Sequence, residues 1–576
     1  MTFSVDPAEP KRDDRDAADG NGWRRDDGLV GDVRKPLGMV VAGSLTEGME
    51  VRLDAATSIE NIKVGTFVNI QGRDMQFFGV LTDVSLNSTD PSLRLTPPDV
   101  SNKFIFDVVS GTTAYGTITV EPMLTLSNDP LEAMDGPKPS KTIPPHFSLV
   151  STASEDDIQK IFGTEDDGHF YIGNPLDMDA KLCLNIEEFV KRSNGVFGKS
   201  GTGKTFLTRL LLIGILQSGA ASNLVFDMHG EYGWKGSSEG TGGGSREVKG
   251  LKQLFSSKVA VFSLDDESSR RRGLTPDYVV RIGYDEIEPE DIQVLRESLN
   301  LSEVAADAAY SLDRKWGKAW LSNFLAYPGG EEFGELAREL NVNDRALSTL
   351  KNRLSRLQRF DFIDEAGGHN SVNQILQYLN RGMHVVLEFG RYGNHLEAYM
   401  LVANLITRRI YARYVELKER AMGDPSQEPR PLVITIEEAH KFLSPSIANQ
   451  TIFGSIAREM RKYNVTLLIV DQRPSGIDEE VMSQLGTKIA CLLDNDRDTD
   501  AVLTGVSGSR KLRAVLARLE SKQQALVFGH ALPMPVVIKT REYGSAESYR
   551  ELGFKDEAEL TAQVEQDIED LFGPGG

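Results

Sequence analysis

The pattern of hydrophobic positions changes period several times along the chain, and each change marks a segment. Residues 1–36 carry no periodic apolar pattern and are rich in Asp, Arg and Gly, which predicts a disordered charged arm. From 37 to 150, short alternating or apolar runs recur at Leu37–Val41, Met49–Leu53, Gly65–Ile70, Phe77–Val84, Lys103–Val109 and Gly116–Val120, with Gly, Asp, Asn and Pro clusters between them. Short strands at that spacing predict a small β-barrel, with Pro137, Pro139, Pro144 and Pro145 as its exit linker. Near residue 170 the pattern turns to strand, loop, helix and strand. Val196–Phe197 ends a strand, a Gly-rich loop follows, Thr205 to Gln217 reads as helix, and Leu224 to Asp227 as a buried parallel strand. That order begins a doubly wound α/β domain.

Residues 236–372 interrupt the alternation with amphipathic helices. In one, Asp344 to Arg359, the residues Leu347, Leu350, Leu354 and Leu357 form a stripe, and Lys351, Arg353, Arg356 and Arg359 lie mostly off it. Strands then return at His384–Phe389, Pro431–Ile436, Thr466–Asp471 and Thr487–Leu493, with a helix from Leu396 to Glu416. The expected fold is α/β: a parallel-sheet nucleotide-binding core of the RecA type at 151–235 and 373–545, an N-terminal β-barrel at 37–150, a helical insertion at 236–372 and an acidic extension at 546–576. Within that extension Ala558 to Leu571 reads as a helix.

Charge and composition narrow the possibilities. The net charge is −21, from 64 Lys and Arg against 85 Asp and Glu, which disfavours non-specific coating of nucleic acid. It leaves room for a ring that gathers positive charge in a small pore. Ten acids against three bases from Arg541 onward place a third of the imbalance in the tail. Two distant cysteines, Cys183 and Cys491, support neither a zinc site nor a disulfide framework and read as small buried residues in a reducing compartment. No signal peptide and no apolar run of roughly 20 residues is present, so a cytoplasmic protein without a membrane anchor is expected.

The chemistry concentrates in a few motifs. Gly198–Lys199–Ser200–Gly201–Thr202–Gly203–Lys204–Thr205 fits G-x-x-x-x-G-K-T at every fixed position, between a strand and a helix. A triphosphate can be ringed by backbone N–H groups only if the chain turns tightly, which the glycines permit. Lys204 is placed to reach the β- and γ-phosphates and Thr205 to bind Mg²⁺. Leu432 to Ile436 is an apolar strand that delivers Glu437 and Glu438 to its carboxyl end, where open α/β sheets bind ligands. Glu437 is expected to hold a water of the Mg²⁺ shell, and Glu438 to orient and deprotonate the attacking water. Gln472 ends another strand and is a candidate sensor of the γ-phosphate. Arg192 and Arg461 are candidate fingers donated in trans. Asp227 and Glu231, in the run Asp227 to Tyr232, are candidates for the nucleotide site or a subunit contact. His229 and His440 have no third ligand at metal spacing.

The phosphate loop, the run Asp227–Met228–His229–Gly230–Glu231–Tyr232, Ile436–Glu437–Glu438–Ala439–His440, and Arg461–Lys462–Tyr463 leading to Asp471–Gln472–Arg473–Pro474–Ser475 occur in the order seen in the HerA family. The chain resembles those hexameric DNA translocases of the HerA–FtsK group over roughly residues 37–545. The resemblance implies a homo-hexameric ring with ATP between subunits and double-stranded DNA in the pore. It implies phosphate and Mg²⁺ roles for Lys204 and Thr205, and a catalytic role for Glu438. It places Arg192 and Arg461, with Arg458 as fallback for the latter, where a neighbouring subunit's arginines act. It further implies a partner: a NurA-type nuclease in DNA-end repair, or a nuclease or NAD-cleaving effector in antiphage defence. Glu437 departs from the aspartate of most P-loop motors. The expected function is an ATP-driven DNA translocase or helicase. Its rival is an ATP-gated platform that controls a bound nuclease or NAD-degrading effector. A secretion or conjugation coupling ATPase is disfavoured, since such proteins usually carry membrane anchors.

Overall fold

The structure, a computed structural model, describes residues 34–554 apart from 100, 102–103, 106–107, 110–112, 167, 240–244, 366, 460–461 and 507. The charged arm before Arg34 and the helix expected over Ala558 to Leu571 lie outside the described residues, as does Arg461.

Six antiparallel strands close into a barrel: Pro36–Ser44, Gly48–Leu53, Phe67–Gln71, Met75–Ser88, Ala114–Ser127 and Leu149–Thr152. The ring closes because Gly48–Leu53 pairs with Ala114–Ser127 and the last strand pairs with both Pro36–Ser44 and Phe67–Gln71. Alternate side chains fill the interior, among them Val40, Val51, Val68, Ile70, Leu81, Ile118, Val120 and Val150. Closure leaves none of the six with an unpaired edge.

Two sequence expectations fail here. Phe104, Ile105, Val108 and Val109 are helical rather than part of a strand. Their spacing of one and four residues suits a helix face as well as a strand, and so short a run does not distinguish the two. The proline segment is not an exit: Lys138–Pro139 pairs with Leu124 and Thr125, and the chain then returns to supply the closing strand. That strand is four residues long, with a single buried apolar side chain, Val150, too little to stand out as a pattern.

The core is a twelve-stranded sheet. Its centre is parallel, in the order Val259–Ser263, His384–Glu388, Ser222–Asp227, Leu432–Glu437, Val465–Asp471, Asn194–Phe197 and Thr487–Ala490. These strands are buried along their whole length, because helices cover both faces. On the far side, Gln524–Gly529, Val536–Thr540, His169–Pro175 and Leu182–Asn185 continue the sheet antiparallel. Val259–Ser263 falls inside the segment read as a helical insertion, yet it belongs to this sheet. Five apolar or small residues in a row read equally as a buried strand or as part of a buried helix.

The helical part proper follows from Pro289–Val294 through Glu303–Trp316, Trp320–Ala326, Glu331–Glu339 and Asp344–Leu354, with the turn Ser355–Arg359 continuing as 3₁₀-helix. Leu347, Leu350, Leu354 and Leu357 are buried, and Trp320 is buried with its indole N–H donated to the Ile287 carbonyl at 2.8 Å. This part is fastened to the long helix Leu396–Ala421 by Arg408, which pairs with Asp291 at 2.9 Å and with Glu288. No helix among the described residues is long and apolar enough to cross a membrane.

Candidate active site

The phosphate loop joins the strand Asn194–Phe197 to the helix Lys204–Ser218. Gly201 and Gly203 stand at φ 80° and 95°, in the left-handed region that other residues rarely adopt, and so turn the amides of 201–205 toward one side. Gly198 is needed for space as well: a Cβ there would lie 2.7 Å from Cys491 Cβ. The loop is held from below by the Gly198 amide on the Asp471 carbonyl at 3.3 Å and the Lys199 amide on the Leu492 carbonyl at 2.9 Å. Thr202 Oγ1 and Lys204 Nζ both donate to the Lys199 carbonyl at 2.8 Å. Burial holds the Lys204 ammonium below the usual lysine range, against the opposing pull of Cys491, Glu438, Asp471 and Glu437. Ser200 is exposed and Thr205 half-buried in the first helical turn. Lys199 also faces Asp494 at 3.7 Å.

One strand separates the phosphate-loop strand from Leu432–Glu437, so both acids arrive at the same edge of the sheet as the loop. Glu437 is buried, with Oε1 accepting from the Tyr232 hydroxyl at 2.9 Å. Its Oε2 has no hydrogen-bond partner among the described residues. Such an atom costs about 1–3 kcal/mol when left unmet. Burial, then Asp227, pushes the Glu437 carboxyl up to about 8. Glu438 turns the other way. Its φ of 48° is uncommon for a non-glycine residue and aims its half-buried carboxylate out of the strand line. Oε1 accepts from Gln472 Nε2 at 2.9 Å. The Thr205 hydroxyl and the orphaned Glu437 Oε2 are oxygen donors of the kind a hydrated Mg²⁺ would take.

His440 follows the two acids. Its Nδ1 lies 3.0 Å from Asp471 Oδ2 and 3.7 Å from Glu438 Oε2. The Asp471 hydrogen bond holds its imidazole above the ordinary value. A raised folded-state value contributes stability that is complete below the unfolded value of about 6.5 and is lost as pH rises through the folded one. The melting temperature of the wild type should therefore fall across that window and that of His440→Gln should change less. Parallel pH profiles for the two would remove the His440–Asp471 pair as a source of stability.

The run Asp227 to Tyr232 divides between inside and outside. Asp227 is buried and accepts from the amides of Glu231, Tyr232 and Gly233 at 2.8, 2.8 and 3.1 Å, so its carboxylate shapes a turn rather than meeting a ligand. His229 is exposed and Glu231 half-buried. Beside Asp227, Glu388 is fully buried, pairs with Arg272 and is pushed up to about 7 by burial. Neither Tyr232 nor Tyr399, which bonds both main-chain atoms of Glu437, stood out as a site residue in the sequence.

The structure thus brings together Lys204, Thr205, Glu437, Glu438 and Gln472. It sets Arg192 apart, just before the strand Asn194–Phe197 and so at the end opposite the phosphate loop. The Arg192 stem crosses Gly486, and the residue lines a cavity of about 160 Å³ with Arg458, Glu459, Thr466 and Gln484. Arg458 reaches Glu480 at 3.9 Å. Of the basic residues on Asp344 to Arg359, Lys351 donates to the Tyr327 carbonyl and Arg359 lies 3.4 Å from Glu397, while Arg345 and Arg356 are exposed. Both cysteines are buried, and burial pushes the Cys491 thiol up to about 11 and the Cys183 thiol up to about 12. No group of three or more His, Cys, Asp or Glu side chains forms a metal cluster among the described residues.

A glycine loop between a strand and a helix, with a half-buried lysine and an acid-ended strand two places away, defines a P-loop ATPase. Residues 170–410 match the family model described as "Helicase HerA, central domain". The DNA double-strand break repair helicase HerA of Pyrococcus furiosus is 26% identical over 415 residues, 68% of this chain and 72% of that one. The helicase of the same name from Saccharolobus solfataricus is 23% identical over 484 residues, 83% of this chain and 87% of that one. The chain is thus similar to the HerA family at its centre, and to named HerA helicases over most of its length. Among solved structures, the plasmid coupling protein TrwB is similar at 12% identity and a TM-score of 0.42, over 67% of this chain and 99% of that one.

Proposed function

We propose that this chain is an ATP-driven double-stranded DNA translocase that works as a homo-hexamer in the cytoplasm. The observation that carries the ATP chemistry is the convergence of Lys204, Glu437, Glu438 and Gln472 on one sheet edge. DNA as the track is supported by the similarity to relatives named as double-strand break repair helicases.

In this reading the amides of 201–205 and Lys204 hold the triphosphate. Glu438 takes a proton from the attacking water, and Gln472 keeps one carboxylate oxygen in place while the other works. Bound Mg²⁺, held by Thr205 and by Glu437 through water, would neutralise charge on the phosphates. Arg192, with Arg461 or Arg458, serves the neighbouring subunit's ATP. Its place at the strand end opposite its own phosphate loop favours action in trans. The barrel and the helical part share hydrophobic cores with the ATPase sheet, and a nuclease of DNA-end repair or an antiphage effector is the partner.

Steady-state ATP hydrolysis measured with and without linear duplex, across a salt series, tests this. Duplex should stimulate turnover, and the stimulation should fade as salt rises, because backbone contacts release counterions. Turnover indifferent to duplex at every salt would overturn the translocase and favour a platform whose ATP state controls a bound effector.

A further inference from the structure

Two buried tyrosines hold three of the four polar atoms of Glu437. The Tyr232 hydroxyl donates to Oε1 at 2.9 Å. The Tyr399 hydroxyl donates to the main-chain oxygen at 3.0 Å and accepts from the main-chain amide at 3.2 Å. Both rings are 0% exposed. Each is fixed independently of Glu437. The Tyr232 amide donates to Asp227 Oδ2 at 2.8 Å and its carbonyl accepts from the Leu251 amide at 2.8 Å. The Tyr399 ring lies edge-on to Phe389 and Phe442. The fourth polar atom, Oε2, is the one without a partner among the described residues.

A glutamate has one more rotatable bond than an aspartate and reaches one methylene further. At a strand end that must offer one oxygen at a set distance, that freedom has to be removed. We propose that Tyr232 is the positioning residue for Glu437. Its phenol draws Oε1 aside, Tyr399 locks the backbone beneath, and Oε2 alone is presented toward the Mg²⁺ water shell. The site therefore uses a tyrosine–glutamate pair, the phenol fixing one carboxylate oxygen so that the other is set in place. This rests on the metal role of Glu437 given under the proposed function.

The test titrates a fluorescent ATP analogue into the full-length protein, in EDTA and at rising Mg²⁺, and compares wild type, Tyr232→Phe, Glu437→Asp and the double variant. Tyr232→Phe keeps the ring and its packing. It should bind the analogue as wild type does in EDTA, while its half-saturating Mg²⁺ rises roughly 3- to 10-fold, the worth of one buried hydrogen bond. Glu437→Asp withdraws the carboxyl from the phenol and should shift the Mg²⁺ response likewise. The double variant should shift no further than the larger single one, since both remove the same contact. Thermal unfolding of the nucleotide-free proteins should show the same non-additivity, which a purely structural tyrosine elsewhere in the core would not. A Tyr232→Phe response superimposed on wild type, or shifts that multiply in the double variant, would overturn the proposal alone. Should Tyr232→Phe not fold, Glu437→Asp decides by itself, and a wild-type Mg²⁺ response from it overturns the tether. A wild type whose binding ignores Mg²⁺ overturns the metal role of Glu437 and this proposal with it.

Discussion

Glutamine in place of Glu438 should give a protein that folds and binds ATP but turns it over ~10²- to 10⁴-fold more slowly, the usual worth of a general base. The substitution preserves shape, and its amide oxygen still accepts from Gln472 Nε2, so the contact now seen at 2.9 Å survives. What goes is the negative charge and the lone pair that takes the proton. Glu438 is chosen over Glu437 for this role by geometry. Its left-handed backbone at φ 48° throws the carboxylate forward, whereas Glu437 is buried behind it and bonded to Tyr232. A residue held in that conformation costs on the order of 1–3 kcal/mol, which a merely decorative strand end would not retain. Measured kcat in Glu438→Gln, alongside binding of a fluorescent ATP analogue, decides the matter. Turnover within a few-fold of wild type would place the general base elsewhere.

Lys204→Ala should fail one step earlier. The ammonium is half-buried in the loop, bonded to the Lys199 carbonyl at 2.8 Å, and its charged form is disfavoured by burial. Its gain comes on meeting phosphate oxygens. A charged hydrogen bond is worth about 1.5–3 kcal/mol, so ATP affinity should fall roughly 10- to 100-fold, with turnover reduced to background. The nucleotide-free protein should be no less stable, because the substitution removes a buried charge together with its desolvation cost. Equal ATP affinity in wild type and variant would refute the assignment. A large drop in melting temperature without nucleotide would instead make Lys204 a structural residue.

Much of this site is legible in the sequence because backbone geometry dictates it. A loop that rings a triphosphate needs glycine where φ is positive, and Gly201 and Gly203 stand there. An apolar strand ending in Glu437 and Glu438 can deliver acids to one sheet edge only. What cannot be read is anything that depends on which strands become neighbours. Asp227 looks like a ligand group from its motif, yet the turn after it folds three amides onto its carboxylate. Tyr399 lies in the middle of a long helical pattern, with nothing in its spacing to point at an acid 38 residues on. The strands Val259–Ser263 and Leu149–Thr152 escape notice for a related reason. Each is short, and its identity is settled by a partner brought from far away.

The order of strands in the sheet also has a meaning in time. Asn194–Phe197 carries the phosphate loop, yet its two neighbours are Val465–Asp471 and Thr487–Ala490, so Asn194 pairs across to Leu468 on one side and to Thr487 on the other. During synthesis the loop motif leaves the ribosome well before both partners, and its strand waits with both edges unpaired while the helical part, the long helix and the acid-ended strand are made. Pairings this distant close slowly, and an unpaired hydrophobic edge invites other chains. Competence to bind nucleotide therefore waits for strands made nearly three hundred residues after the loop. Until Ala490 has emerged, one edge of the phosphate-loop strand lacks the partner it has in the folded protein.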